Sequence, residues 1–342
     1  MKKNKLLITG GCGYIGSHTL IAIIENSDYE LISLDNHLNS SQKALDRVAE
    51  ITGKKVKNYD IDLQDNDGLK QVFEENPDLL GVIHFAALKS VPESVENPIL
   101  YYRNNLDGLL NLLDCCQTYG VEQFIFSSSC SVYGNPEKLP VAETAPFQAA
   151  ESPYAATKQM AEQILKDFVK AAENVRCVSL RYFNPVGAHS SGKNGEDPRN
   201  PPTSLVPIIV EVAAGIREKM FVWGDGYNTR DGSCIRDYIH VMDLAEAHVQ
   251  AIRFLSQNPE TNYEVFNLGT GEGVTVLEAI HAFEKTTSVK LNYEIGERRA
   301  GDVITVYSDT KKSDAVLGWK AKRGIEEMMQ SAWAWKQYAE NA

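Results

Sequence analysis

The stretch that decides the fold lies near the N-terminus and reads Thr9-Gly10-Gly11-Cys12-Gly13-Tyr14-Ile15-Gly16. It follows the apolar residues 6–9, which predict a short strand, and precedes residues 17–25, whose apolar spacing predicts a helix. Glycines at these spacings let the backbone turn tightly and let a pyrophosphate approach the amide groups at the helix N-terminus. The stretch therefore predicts a dinucleotide-binding turn, and a purely structural glycine turn is the alternative.

Asp35 adds a second signal for the same site. It ends the strand predicted at residues 30–34, roughly 20 residues after the glycines, where a carboxylate can bond both ribose hydroxyls. A carboxylate there would repel a 2′-phosphate, so the sequence predicts NAD rather than NADP. A turn or helix-capping role for Asp35 is the alternative.

Strand-like and helix-like segments alternate through the first half of the chain. Helices are predicted at residues 69–75, 101–119 and 154–172, and strands at residues 81–85, 123–127 and 175–180. This alternation predicts an α/β fold with a Rossmann-type, doubly wound parallel sheet that is covered on both faces.

The second half is less regular. Helices are predicted at residues 208–214, 242–254 and 276–285, and strands at residues 221–223 and 265–268. Residues 185–207 are rich in Gly, Pro, Asn and Ser, which favours a substrate loop over a simple linker. We expect a dinucleotide-binding domain over residues 1–184, with segments near 237–270 returning to it, and a smaller α/β substrate lobe over residues 185–342.

The composition narrows the class of protein. The 342 residues include 34 basic and 46 acidic residues, so the formal net charge is −12. A duplex-binding protein normally has a basic face, and we therefore expect no nucleic-acid partner. We also expect no membrane span, because no run approaches the ~20 apolar residues that one needs.

The cysteines point to a reducing compartment. None of the six belongs to a CxxC pair, and no histidine spacing suggests a zinc site; they are Cys12, Cys115, Cys116, Cys130, Cys177 and Cys234. Scattered cysteines are typical of buried thiols in the cytoplasm. We expect a cytoplasmic protein without bound metal.

A third motif follows the fourth predicted strand. Tyr154 and Lys158 lie four residues apart, so they share one face of the predicted helix, and Ser129 ends the Ser127-Ser128-Ser129 run. A free phenol has a pKa of about 10, which a nearby ammonium and a nicotinamide cation would lower. The group predicts proton transfer at a hydroxyl beside a nicotinamide. A half-buried aromatic and a solvated lysine without a catalytic role are the alternative.

Together these motifs resemble the extended short-chain dehydrogenase/reductase family and, within it, the branch of UDP-glucose (UDP-galactose) 4-epimerases. The likeness covers nearly the whole chain. Its most specific segments are Leu180-Arg181-Tyr182-Phe183-Asn184-Pro185-Val186-Gly187-Ala188-His189, Arg236-Asp237-Tyr238-Ile239-His240-Val241 and Arg298-Arg299-Ala300-Gly301-Asp302.

The resemblance implies a role for each matching residue. It makes Tyr154 the general base, Lys158 its electrostatic partner and Ser129 a hydrogen-bonding helper; all three would also contact NAD. The other NAD contacts it implies are Gly10, Gly13, Tyr14, Ile15, Gly16, Asp35, Asn36, Asn39, Ser40, Asp62, Leu63, Phe85, Ala86, Ala87, Lys89, Asn104 and Phe183. The UDP-sugar contacts, besides Ser129 and Tyr154, are Asn184, Ser204, Leu205, Phe221, Val222, Trp223, Arg236, Arg299, Asp302 and Val306.

The implied activity is interconversion of UDP-glucose and UDP-galactose by NAD-mediated transient oxidation at C4 of the hexose, in a homodimer. The dimer interface is expected at the helices predicted over residues 101–119 and 154–172. A 4,6-dehydratase, a net dehydrogenase and a non-catalytic NAD-sensing protein are the alternatives. Dehydratases place Thr-Asp-Glu where this chain has Ser129-Cys130-Ser131, so the carboxylates for dehydration are missing.

Two positions depart from the commonest pattern of the epimerases. Ser204 stands where Asn often precedes Leu205, which puts one polar substrate contact in doubt. Val306 stands near the position where a tyrosine restricts the sugar's 2-substituent, and valine is smaller. We expect additional activity on UDP-N-acetylglucosamine and UDP-N-acetylgalactosamine; a core-packing role for Val306 is the alternative.

Overall fold

The computed structural model describes residues 3–172, 174–298 and 303–341. Its strands are β1 (Lys5–Thr9), β2 (Glu30–Leu34), β3 (Lys57–Tyr59), β4 (Leu79–His84), β5 (Gln123–Ser129), β6 (Arg176–Tyr182), β7 (Asn184–Val186), β8 (Met220–Trp223), β9 (Ile235–His240), β10 (Tyr263–Leu268), β11 (Gly273–Thr275), β12 (Tyr293–Gly296) and β13 (Thr305–Val306). Its α-helices are α1 (Tyr14–Asn26), α2 (Lys43–Thr52), α3 (Asn66–Glu75), α4 (Val91–Glu96), α5 (Pro98–Tyr102), α6 (Gly108–Thr118), α7 (Pro153–Ala171), α8 (Leu205–Ala213), α9 (Val241–Gln257), α10 (Val276–Thr287), α11 (Lys311–Ala315) and α12 (Ile325–Asn341).

The chain divides into two compact units. The first comprises Met1–Gly134, Pro146–Arg181 and Ala245–Phe266, and the second comprises Asn135–Ala145, Tyr182–Leu244 and Asn267–Ala342. Assigning NAD to the first unit and the UDP-sugar to the second remains a prediction.

The first unit is built on a seven-stranded sheet with the order β10-β6-β5-β4-β1-β2-β3. Strands β3, β2, β1, β4 and β5 pair in parallel, as the alternation of strands and helices predicts. Strand β1 is buried along most of its length because helices cover both faces of such a sheet. The predicted α/β, Rossmann-type fold is confirmed.

This strand order determines where a ligand can bind. The chain passes from β1 to β2 on one side and returns to β4 on the other, so the order reverses beside β1. Ligands of open α/β sheets bind outside the carboxyl ends of the strands at such a reversal. The glycine turn follows β1, and residues 85–89 follow β4, so both segments lie at this point of the sheet.

The second unit contains two smaller sheets. Strand β9 pairs with β11, β13 and β7, and β12 pairs with β8 in parallel. The apolar side chains of these sheets pack with α8, α10 and α12 into a hydrophobic core of the second unit, which includes Ile209, Val222, Phe283 and Met329. The two small sheets are therefore positioned by a separate hydrophobic core.

The helix predicted over residues 101–119 is not continuous. Helix α5 ends at Tyr102 and α6 begins at Gly108, and Arg103–Asp107 form a π-helical turn between them. The turn carries the buried Asn105, whose Oδ1 accepts a hydrogen bond from the Leu88 amide at 2.9 Å. The Asn105 amide group donates to the Leu88 carbonyl at 3.0 Å and to Thr157 Oγ1 at 3.2 Å. The interruption therefore fixes the segment that follows β4.

Several elements were not predicted from the sequence. They include α2, β3, β9 and α12, of which α12 buries Met328, Met329, Ala332 and Trp335 at helical spacing. The helical spacing of these apolar residues could have predicted α12. Strand β9 was harder to predict, because it carries charged residues inside a buried strand. Among the described residues, the helices lack the combination of length and apolar character that crossing a bilayer requires.

Candidate active site

The glycine turn brings strand β1 and helix α1 into close contact. Gly10 has a φ of +71°, and a Cβ there would lie 2.8 Å from the Ala86 amide nitrogen. A Cβ on Gly16 would lie 2.2 Å from the Gly10 carbonyl oxygen. Helix α1 begins at Tyr14 with Gly13 as N-cap and no side-chain cap, so its positive end faces the turn. The turn thus has the backbone geometry that holds a phosphate.

Asp35 is tied to this turn by hydrogen bonds. It is only 7% exposed, and its Oδ2 accepts from the Cys12 amide at 3.0 Å. Its Oδ1 accepts from the His37 amide at 3.0 Å and from Ser40 Oγ at 2.6 Å. A carboxylate has about four acceptor positions, so capacity remains for a ribose hydroxyl. The turn and Asp35 together fit a dinucleotide.

The same residues bring metal-ligand types together. Cys12, Asp35 and His37 each offer a donor atom, and these atoms lie within 4.8 Å of one another. The hydrogen bonds from the backbone and Ser40 engage both oxygens of Asp35. We assign the cluster to the dinucleotide site, since those bonds hold Asp35 against the glycine turn.

The remaining residues of the predicted adenosine side lie on neighbouring loops. Asn36 donates to Asp62 Oδ2 at 2.8 Å, and Asp62 Oδ1 accepts from the Gln64 amide at 2.8 Å. Leu63 is buried, whereas Asn39 is exposed. The loops after β2 and β3 are therefore linked through one hydrogen bond between Asn36 and Asp62.

The segment after β4 is braced from two sides. The Phe85 amide donates to the Thr9 carbonyl at 3.0 Å, which fixes the segment to β1. Phe85, Ala86 and Ala87 are half-buried and Lys89 is exposed. Asn104 is half-buried, and its side chain donates to Asn105 Oδ1 at 2.9 Å.

The structure brings Ser129, Tyr154 and Lys158 together. Helix α7 begins after Ser152, whose Oγ accepts a hydrogen bond from the Ala155 amide at 3.2 Å. Lys158 is 5% exposed and its Nζ donates to the Ser127 carbonyl at 2.7 Å. The Lys158 ammonium lies 5.9 Å from the centre of the Tyr154 ring. The cap and this hydrogen bond align the first turns of α7 with the end of β5.

The environment moves the pKa values of both side chains. Burial raises the pKa of Tyr154 to about 12, and its hydrogen bond with Ser129 acts in the lowering direction. Burial lowers the pKa of Lys158 to about 8, against the raising effect of Glu162. The expectation of a lowered phenol pKa is therefore wrong for the chain by itself, because desolvation outweighs the favourable interactions.

The second unit presents two aromatic rings on one edge. Phe221 and Trp223 alternate with buried residues along β8 and are 39% and 40% exposed, with ring centres 5.4 Å apart. Val222 points into the core of the unit, so only its backbone is available to a ligand. The exposed pair forms an apolar platform of a kind that stacks with planar rings.

The other predicted UDP-sugar residues lie on three elements of this unit. Asn184 begins β7, and Ser204 and Leu205 stand at the start of α8. Arg236 and Val306 are paired in register on β9 and β13, and Val306 is 8% exposed. Phe183, a predicted NAD contact, is buried, and its amide donates to the Leu268 carbonyl at 3.0 Å. Arg299 and Asp302 lie outside the described residues.

Sequence reasoning missed two supporting carboxylates. Asp237, next to Arg236, is fully buried and accepts five hydrogen bonds, from the amides of Thr270, Gly271 and Ser308 and from the hydroxyls of Thr270 and Ser308. Glu162, one turn after Lys158, is paired with Arg181 inside the first unit. An acidic residue within an otherwise buried strand or helix face was the only signal in the sequence.

Comparison with known proteins identifies the family. The UDP-glucose 4-epimerase of Bacillus subtilis is 48% identical over 331 residues, which cover 97% of this chain and 96% of that protein. The UDP-glucose 4-epimerase of Drosophila melanogaster is 47% identical over 337 residues, with 97% and 96% covered. The chain belongs to the UDP-glucose 4-epimerase family. It is therefore an NAD-dependent epimerase of the extended short-chain dehydrogenase/reductase type.

Solved structures agree with this assignment. The UDP-glucose 4-epimerase of Stenotrophomonas maltophila, with bound NAD and formylated UDP-arabinopyranose, matches with a TM-score of 0.95 and 40% identity. It covers 98% of this chain and 99% of its own. The enzyme from Bifidobacterium longum, in complex with NAD+ and UDP, matches with a TM-score of 0.92 and 45% identity over 98% and 99% of the two chains.

The family model that matches residues 7–332 is described as GDP-mannose 4,6 dehydratase. The end of β5 does not suit that reaction. Ser129, Cys130 and Ser131 stand there, and Cys130 and Ser131 open a 3-10 helix without a carboxylate. The Thr-Asp-Glu run expected of dehydratases is therefore absent from this strand end.

Proposed function

We propose that the chain interconverts UDP-glucose and UDP-galactose by transient oxidation at C4 of the hexose, through a 4-keto sugar, with NAD as cofactor. The observation that carries the proposal is the grouping of Ser129, Tyr154 and Lys158 at the end of β5, in the unit that also holds the glycine turn. The similarity to UDP-glucose 4-epimerases supports the same reaction.

The cofactor would be held by residues of the turn and the adjoining loops. The amides at the start of α1 suit its pyrophosphate, and Asp35 suits a ribose hydroxyl. When bound, NAD supplies a hydride acceptor that can return the hydride to the sugar. The role of the protein is to position the sugar hydroxyl and to move its proton.

Tyr154 would accept the proton of the sugar 4-hydroxyl, because its phenol is the group in this site that can act as a base. The Ser129 hydroxyl would donate a hydrogen bond to the reacting oxygen, and the Lys158 ammonium would stabilise the phenolate. After the 4-keto sugar turns its other face, Tyr154 would return the same proton to the oxygen. No net oxidation results, so the cofactor needs no exchange between turnovers.

Residues of the second unit would hold the UDP part. The exposed rings of Phe221 and Trp223 suit stacking against uracil, and Arg236 supplies a cation for the diphosphate in an acidic protein. The proposed sugar and diphosphate contacts further include Asn184, Ser204, Leu205, Arg299, Asp302 and Val306. Tight binding of the UDP part would anchor the substrate, while looser contacts to the sugar would let the sugar rotate.

Replacing the base tests the proposal. In Tyr154→Phe, we expect the rate of UDP-galactose conversion to fall by about 10² to 10⁴, which is typical for loss of a general base. Tyr119→Phe serves as a matched control, because Tyr119 ends α6 and bonds Glu74 instead. Bound nucleotide is measured in both variants by the ultraviolet spectrum after denaturation. Full activity in a folded, NAD-containing Tyr154→Phe variant would contradict the assignment.

A second activity is supported by Val306. A valine at this position leaves more room for a 2-acetamido group than the tyrosine of the commonest pattern. The UDP-Glc/GlcNAc 4-epimerase of Campylobacter jejuni is similar to this chain, with a TM-score of 0.85 and 38% identity. We propose activity on UDP-N-acetylglucosamine and UDP-N-acetylgalactosamine. Val306→Tyr should remove it and retain UDP-glucose turnover; no N-acetyl turnover in the unmodified chain would refute it.

A homodimer is proposed as the assembly. Exposed apolar side chains lie on α4, α5, α6 and α7, which suits an interface that includes the helices predicted over residues 101–119 and 154–172. They are Val91, Val95, Ile99, Leu100, Leu110 and Met160. Light scattering should give twice the chain mass of 38.0 kDa, and Leu110→Asp should reduce it. A single-chain mass would contradict this.

The six free cysteines, five of them buried, support a cytoplasmic location.

A further inference from the structure

A buried ion pair lies one turn beyond Lys158. Glu162 is four residues later on α7 and fully buried, and Arg181 on β6 is almost fully buried. Arg181 Nε donates to Glu162 Oε1 at 2.9 Å, and Arg181 Nη2 donates to Oε2 at 2.7 Å. This bidentate geometry is the most specific form of the pair, and it fixes the orientation of the carboxylate.

The carboxylate also holds the end of β5. Ser128 Oγ donates to Glu162 Oε1 at 2.6 Å. Ser128 stands between Ser127, whose carbonyl accepts from Lys158, and Ser129, whose side chain is hydrogen-bonded with Tyr154. Glu162 therefore holds Ser128, whose two neighbours in the chain contact Lys158 and Tyr154.

Stability alone does not explain a charge at this position. Desolvation of two ions offsets most of their attraction, so a buried pair contributes little compared with apolar packing. Arg181 already packs against the rings of Tyr133 and Phe147, with its guanidinium 4.9 Å and 5.0 Å from their centres. An apolar side chain would fill this space equally well, whereas only an anion stabilises a cation at Lys158.

We propose that Glu162 is a positioning residue for the reaction. It keeps Lys158 in its ammonium form and fixes the strand end that carries Ser129. This inference rests on the proposed function for its catalytic consequence, but the state of Lys158 can be measured without turnover.

The charged and titratable groups around Lys158 support this role. From its own helix, Tyr154 and Glu162 face it. From β5, the Ser127 carbonyl and the ring of Phe126 approach it. From β4, the pKa of His84 is lowered to about 3 by burial and by the charge of Lys158, so His84 is neutral near pH 7. Glu162 is thus the anion that offsets the desolvation of Lys158.

Removing that anion has a definite sign. In Glu162→Gln, Arg181 would lose its carboxylate partner and Lys158 would lose the attraction of that anion. The pKa of Lys158 should therefore fall further below its ordinary value. We expect a fall of about one unit from about 8, as for loss of an opposite charge one helix turn away. A function that needs the ammonium is then lost as pH rises through about 7 rather than about 8.

The experiment measures the pH at which Lys158 becomes reactive. The full-length chain is labelled with acetic anhydride across a pH series, and acetylation of Lys158 is quantified by mass spectrometry. Glu162→Gln is compared with Glu162→Gln/Arg181→Met, which also removes the Arg181 cation; because Lys158 still lacks its anion, the midpoint should stay below that of the unmodified chain. Asp243→Asn is the matched control, because Asp243 is a buried carboxylate that binds Arg323 in the second unit. Circular dichroism melting establishes that each variant is folded.

The outcomes test the role of Glu162 separately from the proposed function. A midpoint lowered in Glu162→Gln and in the double variant and unchanged in Asp243→Asn supports the role, and the high-pH limb of epimerase activity should move with it. An unchanged Lys158 midpoint in folded Glu162→Gln overturns it. If Glu162→Gln does not fold, a double variant whose midpoint equals that of the unmodified chain also overturns it. Absence of epimerase activity in the unmodified chain would refute the proposed function and leave the labelling result in force.

Discussion

The ionisation of Tyr154 should depend strongly on bound NAD⁺. In the protein alone, burial raises the pKa of this phenol to about 12. At pH 7 only about one molecule in 10⁵ would then carry the phenolate, which is too few for an efficient base. We predict that bound NAD⁺ lowers this pKa by about two units.

The size of this shift can be worked out from the site. One pKa unit corresponds to about 1.4 kcal/mol. One positive charge about 5 Å from the phenolate contributes about 3.3 kcal/mol at an effective dielectric constant of about 20, or about 2.4 units. Lys158, whose Nζ lies 5.9 Å from the ring centre, is present with and without NAD⁺, so the NAD-dependent shift is assigned to the nicotinamide charge.

The assay is a difference spectrum of phenolate absorbance. Because the chain has 15 tyrosines, the spectrum of Tyr154→Phe is subtracted at each pH, with and without saturating NAD⁺. By linkage, the affinity for NAD⁺ should rise about tenfold per pH unit between the two pKa values, since binding releases the proton. Lys158→Met should raise the Tyr154 pKa both with and without NAD⁺ and leave the shift between the two states nearly unchanged. A Tyr154 titration that is the same with and without NAD⁺ would refute the reasoning.

Three further substitutions test the rest of the site. Gly16→Ala places a Cβ 2.2 Å from the Gly10 carbonyl, so nucleotide retained after purification should fall at least tenfold, as read from the ultraviolet spectrum of denatured protein. Asp35→Ala removes the carboxylate that would repel a 2′-phosphate; the affinity ratio of NADP to NAD, measured by calorimetry, should rise about tenfold. Asp237→Asn replaces a carboxylate that accepts five hydrogen bonds and should lower the free energy of unfolding by about 2 to 4 kcal/mol in denaturant titration, and unchanged stability would contradict this.

The first unit was largely predictable because its signals are local. The glycine turn, Asp35 and the Tyr154–Lys158 spacing each lie within one or two elements, and the alternation of strands and helices determined the class of fold. The strand order was not predicted from the sequence, because the alternation of elements indicates a parallel sheet without determining which strands are neighbours.

The second unit and the supporting contacts were harder to predict. Asp237 collects donors from residues 270–271 and 308, which are distant in sequence, so no local pattern reveals it. Glu162 has the ordinary spacing of a helical surface residue, and its burial depends on Arg181 arriving from β6. The raised pKa of Tyr154 in the chain by itself was not predicted, because desolvation is not visible in a motif.

The π-helical turn at Arg103–Asp107 has a consequence for how this chain can change over evolutionary time. Deleting one residue there would restore regular helix, which is locally more favourable, but the turn would lose its extra residue and the side chains within it would change direction. The side chain of Asn105 would then leave Leu88 and Thr157, and the loop after β4 would lose its brace. The length of this turn is therefore inherited together with the shape of the loop that it supports.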